Sequence, residues 1–280
     1  MMKELEQLQK IYSQNLDKRK NLYSPVAEAY NRVRPDYPQQ LVARAQELTQ
    51  LTSQSKILEL GCGPGKATVA FAELGCSMVC LEPSPEACEY ARQNCAKYPN
   101  VEIRQTTFEE WDLTPDKFDV VLAATSFHWI DPQVACTKAA DALKDDGSLI
   151  LLWNIIPQPS YEVYQNLIEV YQTYAPDLVR DEKRTTQAEI AHQAEMAKNL
   201  KQKALECHRF TDVASEELIC EAIYSVDNFL LLLSTFSQYI NLDFSTREAL
   251  FTGLREKIVT NYGENLPIKY LSVLQVAKKN

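Results

Sequence analysis

Lys56-Ile57-Leu58-Glu59-Leu60-Gly61-Cys62-Gly63-Pro64-Gly65-Lys66 is the stretch on which the fold turns. A short apolar run ends in three glycines within five residues, and a helix-prone segment begins at Lys66. The 280-residue chain holds only seven glycines, where average usage of about 7% would give roughly 20. Glycine concentrated in this way marks a backbone that turns tightly or lets another group come close. The pattern is that of a strand, a loop and a helix in succession.

Outward from this unit, strand and helix signals alternate. The helix over 66–74 stops at Gly75, and 77–81 reads as a second strand ended by Glu82-Pro83. Ser84 then caps a helix that has Pro85 at its first position. Residues 101–105 alternate as a third strand and 118–123 form a continuous apolar fourth. A helix over 131–143 is closed by Asp145-Asp146-Gly147, and 148–153 is a fifth strand. Strands that alternate with helices specify a parallel sheet with helices on both faces.

After residue 154 the periodicity is helical, interrupted by a short strand at 205–210, and 268–276 reads as the last strand. The fold class is α/β: a Rossmann-like, seven-stranded, mostly parallel sheet with a terminal antiparallel strand pair and a helical lid. Residues 1–154 hold N-terminal helices and the core, 155–262 the lid, and 263–280 the final strand and tail. Residues 1–20 read as a surface helix, with Asp17-Lys18-Arg19-Lys20 on its solvated side. Pro35 and Pro38 break the chain before a helix that carries Leu41, Ala45 and Leu48 on its apolar face. No internal repeat is present.

A sheet of this kind binds ligands in the crevice at the carboxyl ends of its strands. Glu82 ends the second strand 21 residues past Gly61, where a carboxylate can accept both hydroxyls of a ribose. The dinucleotide fingerprint wants a third glycine five positions after the first, and Lys66 stands there. Glu59 precedes the loop, and a carboxylate repels a pyrophosphate. An acid at that point suits a cofactor with a ribose and an ammonium group, and S-adenosylmethionine has both.

Glu59–Gly65 followed by Glu82-Pro83-Ser84 resembles the first two motifs of class I S-adenosylmethionine-dependent methyltransferases. Phe118-Asp119-Val120-Val121-Leu122-Ala123 resembles their fourth-strand motif, and 143–152 their fifth-strand segment. Arg34-Pro35-Asp36-Tyr37-Pro38, Ser126-Phe127-His128-Trp129 and Trp153-Asn154 resemble the branch that includes trans-aconitate methyltransferases. The resemblance implies an S-adenosylmethionine site made of Glu59, Gly61, Gly63, Gly65, Glu82, Pro83, Thr107, Phe108 and Ala123, with Tyr30 and Arg34 folded over it. Thr107 stands where the family commonly has an acid. His128 is implied as a substrate ligand or general base, and Phe127, Trp129 and Trp153 as walls of the acceptor site. His192 and His208 read as structural. The stripe Phe229, Leu232, Leu233 and Phe236 reads as lid core.

Composition narrows the function classes. The net charge of −9 argues against a dedicated nucleic-acid binder, whose footprint is a basic face. No apolar run approaches the roughly 18 residues of a membrane span. The N-terminal residues Lys3-Glu4-Leu5-Glu6 lack an apolar signal region, so the chain reads as cytoplasmic. Five of the eight cysteines fall between 62 and 95 without a Cys-x-x-Cys, and they read as structural thiols rather than a metal site or a disulfide framework. The expected partner is a small-molecule methyl acceptor. A non-catalytic methyltransferase-like module and an NAD(P)-dependent oxidoreductase are the alternatives.

Overall fold

The computed structural model describes residues 20–113, 115–179 and 186–280. The predicted N-terminal helix lies outside these residues except for Lys20. The sheet has the order β3-β2-β1-β4-β5-β7-β6. Its strands are β1 (Lys56–Leu60), β2 (Ser77–Glu82), β3 (Val101–Gln105), β4 (Phe118–Ala124), β5 (Leu143–Gln158), β6 (Phe210–Ser225) and β7 (Asn265–Lys279). β1 runs parallel to β2 and β4, and β7 runs antiparallel to both β5 and β6. The strand order reverses between β1 and β4, and a crevice opens at their carboxyl ends.

The helices are α1 (Ala27–Val33), α2 (Gln39–Thr49), α3 (Lys66–Ala72), α4 (Pro85–Asn94), α5 (Pro132–Ala142), α6 (Tyr161–Tyr174), α7 (Thr186–Ala204), α8 (Val226–Ser234), α9 (Ser237–Ile240) and α10 (Phe244–Tyr262). β5 explains why its centre reads as an unbroken apolar run. Ile150 and Leu152 join a cluster with Leu41 and Phe71 on one face, while Leu149, Leu151 and Trp153 join Phe108 and Ala139 on the other. A strand covered on both faces has no polar side. A third cluster joins α6, α8 and α10 with Val33 of α1, and it contains Phe229, Leu232, Leu233 and Phe236 as the stripe predicts.

Besides a longer β5, Leu143–Gln158 where 148–153 is expected, the later part of the chain departs from the sequence reading in three places. The strand expected at 205–210 lies instead at Phe210–Ser225 and is sixteen residues long. It is an edge strand with one exposed face, so Asp212, Glu216, Glu217 and Glu221 give it a polar composition that hides its period of two. The last strand is longer than 268–276 at both ends.

The third departure is covalent: Cys136 of α5 and Cys207 just beyond α7 form a disulfide, not two structural thiols. α7 packs on α5 and brings together cysteines 71 residues apart, a proximity that spacing alone does not reveal. Cys62, Cys76, Cys80, Cys88, Cys95 and Cys220 are free. No helix among the described residues is long and apolar enough to cross a membrane.

The disulfide sets a countable expectation. Thiol titration of the unfolded chain without reductant should find six groups per chain, and eight after reduction. Closing a loop of this size stabilises the fold by up to about 4 kcal/mol, so urea unfolding with reductant should show a lower stability. Eight reactive thiols before reduction would remove the bond from the account.

Candidate active site

The glycine loop packs down on its neighbours before it meets any ligand. The Cys62 N–H donates to the Leu81 carbonyl (3.0 Å), which docks the loop on β2. Gly61 has φ of 63°, and a Cβ there would stand 2.8 Å from the Ser126 Cβ. The Ser126 hydroxyl donates to the Leu60 carbonyl and locks this contact. Gly63 is different: with φ of 54°, its Cβ position meets nothing within 4 Å. It opens on a cavity of about 380 Å³ at the carboxyl ends of the strands.

Glu82 holds that open loop. Its Oε2 accepts from the Gly63 N–H (2.9 Å) and its Oε1 from the Ser84 N–H (2.9 Å). Burial raises the Glu82 pKa above the ordinary carboxylate value, against the pull of these two N–H groups. Pro83 and Phe108 stand beside it on the cavity wall. Thr107 also lines the cavity, but its hydroxyl is used locally. It accepts from the Glu110 N–H (3.1 Å) and donates to the Glu110 carboxylate (3.1 Å). Glu110 in turn pairs with Lys20 at 2.6 Å, and the rest of the charged run that Lys20 ends lies outside the described residues.

Residues 23–37 form a strap along the cavity. Tyr23, Tyr30, Arg34 and Tyr37 all line it. Arg34 donates from Nε to the Thr235 hydroxyl (2.8 Å) and from Nη2 to the Thr235 carbonyl (2.9 Å). Its guanidinium lies 4.1 Å from the Phe236 ring centre and 4.9 Å from that of Tyr30. Arg34 has no carboxylate partner among the described residues. Two acceptors and two aromatic faces thus hold the guanidinium in place.

The remaining wall comes from the ends of β4 and β5 and from α7. His128 and Trp129 lie in a short turn after β4, with Trp153 5.5 Å from the His128 ring. Burial lowers the His128 pKa to about 4, so its imidazole is neutral near pH 7. The Trp153 indole donates to Gln275 (2.9 Å), and this fixes the ring. α7 contributes His192, Glu195, Met196 and Asn199. His192, read from sequence as structural, stands in the cavity wall. The helical repeat of those four positions was the available signal.

Four expected site residues lie behind the wall rather than on it. Glu59 is fully buried beneath the loop, and its Oε2 accepts from the Thr68 hydroxyl (2.6 Å). Its strand position points it into the core, away from the end where the ammonium reading would place it. Gly65 starts α3, and its Cβ position packs 3.4 Å from Ala91 Cα and from Cys95 Sγ, so it serves close helix packing. Ala123 is a core residue because strand alternation turns the next residue, Ala124, toward the cavity. Phe127 is core because the short turn presents its two successors instead. Among the described residues, no cluster of three or more His, Cys, Asp or Glu suits a metal ion.

Known proteins resemble the chain in sequence and in fold. The profile of the methyltransferase domain family matches residues 57–147, from β1 to the start of β5. That match covers about a third of the chain. The chain is 34% identical over 126 residues to an uncharacterized methyltransferase of Mycobacterium bovis, covering 45% of this chain and 49% of that one. It is 28% identical over 129 residues to the malonyl-[acyl-carrier protein] O-methyltransferase of a Paenibacillus species, covering 44% and 46%. The chain spans about half the length of the curated relatives it matches. The YcgJ protein of Bacillus subtilis shares the fold, with a TM-score of 0.51 at 16% identity over 87% of this chain and 99% of that one.

Glu59 and His128 oppose each other in pH. Burial pushes the Glu59 pKa up to about 7, so its contribution to stability is full below about pH 4.5 and is lost as pH rises to 7. His128 contributes fully above its ordinary 6.5 and loses that as pH falls toward 4. Glu59→Gln keeps an acceptor for Thr68 and cannot ionise. Relative to the wild type it should gain about 3 kcal/mol in urea unfolding between pH 4.5 and 7.5. Parallel pH curves for the two proteins would show that Glu59 carries no such penalty.

Proposed function

We propose that the chain transfers a methyl group from S-adenosylmethionine to a small acceptor, with a carboxylate as the favoured acceptor group. The observation that carries this reading is Glu82, a buried carboxylate on the Gly63 N–H, at the one glycine of the loop whose side opens on the cavity. A nucleoside cofactor needs a ribose acceptor beside a backbone that can be approached closely, and these two residues supply both.

The other residues fit the same group. Gly61 and Gly63 would take the methionine portion and ribose, Glu82 the ribose hydroxyls, and Pro83 and Phe108 the base. Arg34, which has no carboxylate of its own, would take the carboxylate of the amino-acid end. Lys66, where a dinucleotide site wants glycine, instead pairs with Asp36 at 2.8 Å. S-adenosylmethionine supplies a methyl group already activated by its positive sulfur.

The chain's part is alignment and exclusion of water. Trp129, Trp153 and Tyr23 wall the reacting end, and an anion that meets a cation there loses charge in the transition state. His128, with a pKa of about 4, is a weak base at neutral pH. A carboxylate acceptor arrives ionised and needs none, which agrees with the O-methyltransferase among the relatives. The modest size of a cavity of about 380 Å³ and the net charge of −9 favour a small molecule over nucleic acid.

Calorimetry tests the reading. The folded chain should bind S-adenosylmethionine and S-adenosylhomocysteine, and Glu82→Ala should weaken both by at least about tenfold, or about 1.4 kcal/mol. Failure of the wild type to bind either ligand contradicts the cofactor, and unchanged affinity in the variant contradicts the ribose contact.

A further inference from the structure

Asn154 is almost completely buried at the point where four segments meet. Its Nδ2 donates to the carbonyls of Pro35 (3.1 Å) and Asp36 (3.3 Å) in the strap. Its Oδ1 accepts from the hydroxyl of Ser272 on β7, which is itself fully buried. Its own N–H donates to the Thr125 hydroxyl (3.3 Å), which also bonds the Tyr37 hydroxyl (2.8 Å). Every polar group of the Asn154 side chain is thus used on a neighbour, and two of its bonds lie immediately after Arg34.

Two further observations mark the same place. Thr125 has φ of 55°, a left-handed backbone that a β-branched residue rarely adopts. Such a conformation persists only where surrounding contacts over-determine it, and the Tyr37 hydroxyl and the Asn154 N–H are those contacts. On the other side of Arg34, the Tyr224 hydroxyl donates to the Val33 carbonyl (2.6 Å). The backbone is therefore pinned on both flanks of Arg34, by Tyr224 before it and by Asn154 after it. The Arg34 side chain is held separately by Thr235.

We propose that Asn154 is a positioning residue that fastens the Pro35-Asp36 backbone so that the Arg34 guanidinium reads a carboxylate in the cavity. The ligand carboxylate is that of the cofactor's amino-acid end, so the inference rests on the cofactor reading above. Arg34 is long and flexible, and a guanidinium recognises a carboxylate well only when its fork is held in place. Asn154 has the one short side chain that can donate to two strap carbonyls while accepting from β7. Aspartate in its place would put a carboxylate against the Pro35 and Asp36 oxygens.

The experiment compares two ligands that share the nucleoside and the thioether sulfur. S-adenosylhomocysteine carries the amino-acid carboxylate, and 5′-methylthioadenosine lacks it. Calorimetry on the full chain gives the ratio of their affinities for the wild type, Asn154→Ala, Asn154→Asp, Arg34→Ala and the Arg34→Ala/Asn154→Ala double variant. The wild type should prefer S-adenosylhomocysteine, and both Asn154 variants should lower that preference by about tenfold, with 5′-methylthioadenosine changed less than about twofold. In the Arg34→Ala background, Asn154→Ala should change the ratio no further.

A structural role alone would weaken both ligands alike, and that result overturns the proposal. So does a wild type that binds the two ligands equally, or an Asn154 effect that persists in full without Arg34. A wild type that binds neither ligand overturns the cofactor reading itself. Thermal melting reports whether Asn154→Ala folds. If it does not, Tyr224→Phe releases the other flank at a half-buried position and should lower the same ratio by about threefold, and an unchanged ratio there also counts against the proposal.

Discussion

A single buried carboxylate ties the end of β2 to the glycine loop after β1. Glu82 accepts one backbone N–H from each side of the crevice, from Gly63 and from Ser84. Both partners are main-chain groups, so the bond sets backbone position rather than side-chain choice. A carboxylate this deeply buried is costly unless it is hydrogen-bonded, and burial raises its pKa against the pull of the two N–H groups. Hydroxyl groups of a ligand would add to that pull.

The rest of the crevice is arranged around that bond. The Ser126 contact at Gly61 brings the end of β4 against the loop, so the segment that carries His128 and Trp129 begins at a defined point. The strap closes the near side through Tyr37, Thr125 and Asn154, and the helical cap reaches it through Thr235 and Arg34. α7 closes the far side. It is pinned on β7 by Gln193, whose Oε1 accepts from the Leu271 N–H at 2.7 Å, and by Gln275, which donates to the Ala197 carbonyl at 3.0 Å. Each of these is a hydrogen bond that is buried or part-buried, so the walls are fixed in position rather than merely adjacent.

How much of this was legible in the sequence depends on where the information lies. The first half of the sheet was legible because β1, β2 and β4 are largely buried apolar runs, each followed by a helix, and β3 alternates. Gly61, Gly63, Glu82, Arg34, His128 and Trp129 were legible as candidate site residues because loop glycines, a strand-end acid and aromatics in turns carry local signals. β6 was not, since an exposed edge strand rich in acids looks like a polar helix. Glu59, Gly65, Ala123 and Phe127 were assigned to the wall although each sits one layer behind it. A motif names the neighbourhood, but alternation along a strand and the pitch of a turn decide which member faces the ligand. Asn154, Thr125 and the Cys136–Cys207 bond depend on contacts between segments far apart in the chain, which no local pattern encodes.

The central claim is that the Glu82 carboxylate is both the clasp of the loop and the seat of a ribose. The most direct measurement is a crystal structure of the chain with S-adenosylhomocysteine. The account expects both ribose hydroxyls within hydrogen-bond distance of the Glu82 carboxylate, with the Gly63 N–H still donating to it. A ribose bound away from Glu82, or a ligand outside the cavity between the loop and the strap, would contradict it.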